Sequence, residues 1–180
     1  MNYEDYKAKF TAWAALTETR LGELCDEFLP AHEQIAQAAR YSLLGGGKRI
    51  RAVLALAACE LGGAAPEKAL DYACALEMLH CYSLIHDDMP CMDNDDFRRH
   101  KQFGESTALL AADALVTAAF EVIAHADLPA ESRVEAAALL AKAGGARGML
   151  YGQELDKHYE ITRASEEQLL ELHRNKTGAL

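Results

Sequence analysis

Aromatic side chains are scarce in this chain: only 7% of its residues are Phe, Trp or Tyr, although 51% are hydrophobic. Any core must therefore be aliphatic and rich in alanine, a balance that excludes disordered and low-complexity classes. Basic charge is short as well. Lys and Arg number 18 against 28 Asp and Glu, a net charge of −10, so general binding to nucleic acid or an anionic membrane has no basic footprint. Cys25, Cys59, Cys74, Cys81 and Cys91 form an odd set with no CxxC spacing. They read as reduced thiols of a cytoplasmic protein, not as a disulfide or zinc framework. No apolar run approaches the roughly 18 residues of a membrane span, which argues against stable membrane insertion. The opening MNYEDYKAKF carries charge where a secretory leader would be apolar.

Proline is rare enough to act as punctuation. Pro30, Pro66, Pro90 and Pro129, with Gly45-Gly46-Gly47, Gly62-Gly63 and Gly144-Gly145, separate stretches such as IRAVLALAACEL and STALLAADALVTAAFEVIAHA. Those stretches are built from strong helix formers, and none sustains the two-residue alternation of a strand. Ser165 with Gln168 three residues on reads as a capping box that opens a helix near residue 166. The expectation is an all-α helical bundle, and 180 residues allow one domain or a substantial fragment of a larger one. Within it, Glu67 to Asp88 reads as one helix buried on most of its faces, yet ending in two aspartates.

The window Asp87 to Asp96, DDMPCMDNDD, is half aspartate. Carboxylates packed so closely repel unless a cation sits among them, and hard divalent cations prefer such oxygens. An EF-hand loop counted from Asp93 fails, because Arg98 stands where its glycine belongs and Gly104 where its glutamate belongs. At about 100° per residue, His80 and Asp87 share a helix face, whereas Asp93 falls about 120° away from Asp87 in an unbroken helix. A metal site using both Asp87 and Asp93 thus requires a break, which Pro90 can supply. A second cluster, GGGKRIR from Gly45 to Arg51, joins a flexible turn to a helix start and to three cations suited to phosphate. It is not a P-loop, since the second glycine and the Ser or Thr after lysine are missing. Glu77-x-x-His80 raises a di-iron carboxylate bundle, but that fold needs a second E-x-x-H and the sequence has none. An acidic segment and basic patches beside aliphatic helices suit anionic ligands with greasy tails, one held through Mg²⁺ and one by Lys and Arg directly.

With GGKRIR, EMLHCYSLIHDDMPCMDNDDFRRHK, GQELD and KTGAL in this order, the chain resembles the trans-isoprenyl diphosphate synthases, most closely bacterial farnesyl and geranylgeranyl diphosphate synthases. The resemblance implies an antiparallel helical bundle of the isoprenoid synthase type, of which these residues would form the N-terminal two-thirds. It implies that Asp87, Asp88 and Asp93 bind the Mg²⁺ that holds an allylic diphosphate, contacted also by Arg98, Lys176 and Thr177. Lys48, Arg51, His80 and Arg99 would hold isopentenyl diphosphate, and Tyr82 would floor the pocket that sets product length. The implied activity is prenyl transfer to isopentenyl diphosphate, with farnesyl diphosphate as product, in a cytoplasmic homodimer. One feature departs from the family pattern. The second aspartate-rich motif, usually DDxxD, is absent: beyond Asp96 only the isolated Asp113, Asp127 and Asp156 follow. The alternative reading is therefore a non-catalytic diphosphate-binding fragment or partner subunit. Class I terpene cyclases share the aspartate logic but would have no use for the GGKRIR patch.

Overall fold

Pro66 does as its chemistry dictates, opening a short 3-10 turn over Pro66–Ala69 where a missing N–H costs nothing. Ala69, at φ −96° and ψ 2°, then interrupts the spiral, and the central helix starts only at Leu70. The computed structural model describes residues 3–93 and 100–180. Its helices are α1 (Tyr3–Phe28), α2 (Gln34–Leu43), α3 (Ile50–Leu61), α4 (Leu70–Asp87), α5 (His100–Phe103), α6 (Glu105–His125), α7 (Ala130–Gly144), α8 (Met149–Tyr159) and α9 (Glu166–Lys176). No strand occurs among the described residues. The chain divides into two compact units, Met1–Pro129 and Ala130–Leu180, and Pro129 marks the joint.

In the first unit α4 packs against α1, α2, α3 and α6. Every residue from Ala73 to Leu79 is buried, so the helix is enclosed all round over two turns. Small side chains meet at this centre: Ala73, Cys74 and Ala75 on α4, Ala111, Ala112, Ala118 and Ala119 on α6. They let the helices approach closely, as an aromatic-poor core requires. A bidentate pair from Arg20 to Asp71, 2.7 Å and 3.4 Å, pins α1 to α4.

The apolar content of α6 is higher than the sequence alone suggested. Its best stretch reaches a mean hydropathy of 1.7, which makes it the one helix among the described residues long and apolar enough to cross a membrane. In this fold its apolar stripe, Ala108, Ala111, Leu115, Ala118, Val122, is buried at helical spacing, with α4 and α2 packed against the helix. In the second unit α9 opens with the expected capping box: Gln168 N–H donates to Ser165 Oγ, and Ser165 N–H donates to Gln168 Oε1.

Candidate functional site

The GGGKRIR segment is a folded corner, not a slack linker. Gly46 and Gly47 take φ of +92° and +146°, values open to glycine, and Arg49 follows at φ +51°. For a side chain as large as arginine that left-handed turn costs about 1 kcal/mol, and its contacts explain why it persists. The Arg49 Nη2 donates to the carbonyl of Leu43, the last residue of α2, at 2.6 Å. Its Nε donates to Glu18 on α1 at 2.7 Å, and its Nη1 lies 3.5 Å from Glu77 on α4. One buried guanidinium therefore ties together four helices, counting α3, whose N-cap it is. Burial alone would lower its pKa, but Glu18 and Glu77 hold it above the ordinary arginine value. The sequence grouped Arg49 with Lys48 and Arg51 as cations for phosphate; the structure gives it internal partners instead.

Glu77 completes this arrangement. Only 4% exposed, it accepts a hydrogen bond from the backbone N–H of Ala52 at 3.1 Å. A carboxylate thus caps the first turn of α3 from across the core, where the helix dipole favours it. The α3 N-terminus, expected to be open to an anion, has this donor occupied from within.

Around the corner lies a cavity of about 140 Å³ lined by Lys48, Arg51, His80, Glu77, Gly46 and Cys81, among others. Three residues drawn from the sequence, Lys48, Arg51 and His80, therefore share one space. Arg51 Nε is buried with no hydrogen-bond partner, and desolvation lowers the pKa of the group against a smaller opposing pull from Glu77. A desolvated guanidinium facing a cavity is a site in want of an anion.

Two turns further along α4 stand the aspartates. The helix ends at Asp87, and Asp88 is its buried C-cap. The chain then doubles back, so that the Asp93 N–H donates to the Asp87 carbonyl at 2.9 Å. The break expected around Pro90 is present, and it returns Asp93 to the end of α4. Among the described residues no three His, Cys, Asp or Glu side chains converge on one metal-sized point. The donor chemistry still fits a hard cation that keeps waters and shares phosphate oxygens, because such an ion needs few protein ligands. Arg98 and Arg99 lie outside the described residues.

Tyr82 and His86, one turn apart on α4, pack with ring centroids 4.6 Å apart and their planes tilted by 58°. His86 Nε2 sits 3.9 Å from Asp113 on α6. Burial depresses the His86 pKa, and Asp113 only partly restores it; the same burial raises that of Tyr82. In the second unit Lys176 pairs with Asp156, and Thr177 is the C-cap of α9, its N–H donating to the His173 carbonyl at 3.2 Å. The GQELD and KTGAL segments meet through the backbone. A Cβ on Gly152 would fall 2.0 Å from the Lys176 nitrogen, so glycine is required there.

Residues 32–180 match the family model described as polyprenyl synthetase. The chain belongs to the polyprenyl synthetase family. It is 45% identical over 162 residues to a farnesyl diphosphate synthase of Micrococcus luteus, covering 87% of this chain and 56% of that protein. With geranylgeranyl pyrophosphate synthase 4 of Arabidopsis thaliana the identity is 46% over 165 residues, 86% of this chain and 44% of the relative. Among solved structures, a geranyltransferase from Legionella pneumophila superposes with a TM-score of 0.92 at 39% identity, over 98% of this chain and 65% of that one. This polyprenyl synthetase chain thus has the isoprenyl synthase fold, while spanning about half the length of the curated relatives it matches.

Two roles escaped the reading of the sequence: Arg49 as an internal hub and Glu77 as its partner. The signal was present. A lone carboxylate inside ALEML, in a helix enclosed by apolar neighbours, demands a buried cation.

Proposed function

We propose that the protein is a chain-elongating prenyltransferase, joining an allylic diphosphate to isopentenyl diphosphate with farnesyl diphosphate as product. The observation that carries this reading is the cavity where Lys48, Arg51 and His80 meet, on the same helix that ends in Asp87 and Asp88. Two anion sites of different kinds along one helix are what a reaction between two diphosphates requires. Lys48 and Arg51, with Arg99, would grip isopentenyl diphosphate directly. Asp87, Asp88 and Asp93 would hold Mg²⁺ at the allylic diphosphate, with Arg98, Lys176 and Thr177 adding direct contacts. Mg²⁺ would supply positive charge to the departing diphosphate. Aliphatic side chains of the bundle would keep water from the electron-poor allylic chain while the isopentenyl double bond attacks it. No side chain need act as a nucleophile; loss of a proton then yields the longer allylic diphosphate. The working state we propose is a cytoplasmic homodimer.

Charge arithmetic decides what these 180 residues should do alone. The leaving diphosphate carries roughly three negative charges in a dry site, where unpaired charge costs several kcal/mol. Each tenfold in rate is about 1.4 kcal/mol of barrier, so carboxylates for only part of the metal leave turnover lower by orders of magnitude. Residues 1–180 should show no more than trace incorporation of radiolabelled isopentenyl diphosphate at saturating Mg²⁺. The same residues extended with a relative's C-terminal helices should be active; comparable turnover by both would refute the argument. The alternative reading, a diphosphate-binding partner chain, predicts tight substrate binding without turnover in either form.

A further inference from the structure

A buried carboxylate in the wall of an anion-binding cavity is an electrostatic contradiction. Glu77 lines the same cavity as Lys48 and Arg51, and its negative charge should repel a diphosphate there. The surroundings resolve it. Glu77 holds the Ala52 N–H at 3.1 Å and faces the Arg49 guanidinium at 3.5 Å. Arg49 in turn joins the end of α2, through the Leu43 carbonyl, to the start of α3. Between those two anchors run Leu44, Gly45, Gly46, Gly47 and Lys48, and Arg51 follows in the first turn of α3.

We propose that Glu77 is a positioning residue for anion binding: through Arg49 and the Ala52 amide it sets the loop that presents Lys48 and Arg51 to a diphosphate. The inference rests on the reading of this cavity as a diphosphate site. Arg49, shared between Glu18 and Glu77, offsets part of the Glu77 charge, and Lys48 and Arg51 supply the positive charge that faces the ligand. Neither Glu77 nor Arg49 need touch the ligand. The glycines have conformations in plenty, and a loop with two positive-φ glycines keeps one shape only if its ends are fixed. Arg49 fixes one end, and Glu77 fixes Arg49.

Charge and positioning predict opposite signs, which makes the idea testable. Were charge alone at work, Glu77→Gln would tighten binding of an anion. As a positioning residue, its neutral replacement releases Arg49 and the loop, and binding weakens. The probe is inorganic pyrophosphate, titrated calorimetrically into the 180-residue chain in EDTA, so that the aspartates recruit no metal. Glu77→Gln keeps an acceptor for the Ala52 amide and should weaken pyrophosphate binding about tenfold, the scale expected when binding groups are misplaced by a fraction of an ångström to an ångström. Arg49→Lys preserves net charge but loses the planar fork, and should weaken binding at least about threefold. It remains decisive should Glu77→Gln fail to fold. Unchanged or tighter binding in either folded variant overturns the proposal. Lys48→Met separates the two levels. If it weakens pyrophosphate binding while Glu77→Gln and Arg49→Lys do not, the positioning role alone falls. If Lys48→Met also has no effect, the cavity is not the diphosphate site and both fall.

Discussion

The two ends of the exposed-to-buried range meet on α4, and they are built in opposite ways. At its middle, the basic corner is assembled from charges of opposite sign: Arg49, its side chain only 5% exposed, lies between Glu18 and Glu77. At its C-terminal end the acidic turn carries charge of one sign on a segment that has left the helix, with Asp93 exposed. On the proposed reading, the anion site can be completed by the protein in advance, since a buried carboxylate holds the Arg49 that anchors its loop. A cation site made of aspartates cannot, because like charges separate until the ion arrives.

That contrast can be broken first at its buried side. Arg49→Met strands the Glu77 carboxylate in the core, and should reduce the unfolding free energy of the chain by about 3–5 kcal/mol in urea titrations. Adding Glu77→Gln should recover more than half of the loss; a small effect of Arg49→Met would mean the corner is wetter than its geometry implies. At the acidic side the pattern should invert. Asp93→Asn should leave urea stability within about 0.5 kcal/mol, while lowering Mg²⁺-dependent turnover of a C-terminally extended, active chain about a hundredfold, near 2.7 kcal/mol of barrier.

Smaller effects sharpen the same contrast. Cys91 is exposed within the acidic turn, whereas Cys25 is buried and its thiol pKa is pushed up to about 11 by desolvation. A thiol reagent at pH 8 should modify Cys91 first, and Mg²⁺ should slow that reaction about two- to threefold if the turn tightens around an ion. Equal rates with and without Mg²⁺ would argue against ordering. Last, Tyr82→Ala removes a half-buried ring from beside His86 without touching a proposed diphosphate contact. In an active, extended chain its products should be longer, as chromatography of the dephosphorylated alcohols would show; unchanged length would assign the pocket floor to another residue.

Much of this was legible in the sequence, for physical reasons that differ by element. Strong local chemistry reads well: Ser165 and Gln168 cap α9 as their spacing dictates, and Pro90 lies in the break that follows α4. The boundary at Glu67 read less well, because Pro66 starts a 3-10 turn that yields to α-helix only after Ala69. Lys48, Arg49 and Arg51 were indistinguishable as letters. What separates them is one left-handed residue, which turns Arg49 inward toward partners 31 and 28 positions away in sequence, Glu18 and Glu77. Long-range pairing of that kind leaves no local period to detect.

The contact between Gly152 and Lys176 carries a consequence for how this protein can vary. With main chain against main chain, the foot of the lysine is set by backbone, while its ammonium, at the end of a four-carbon arm, pairs with Asp156. Position 152 should therefore behave as a lock with a single key, every larger residue forcing α8 and α9 apart. Gly22 in α1, with nothing within 4 Å of where a Cβ would sit, is free to drift. Two glycines of identical chemistry thus differ in mutational tolerance, one pressed against a neighbour's backbone and the other with open space beside it.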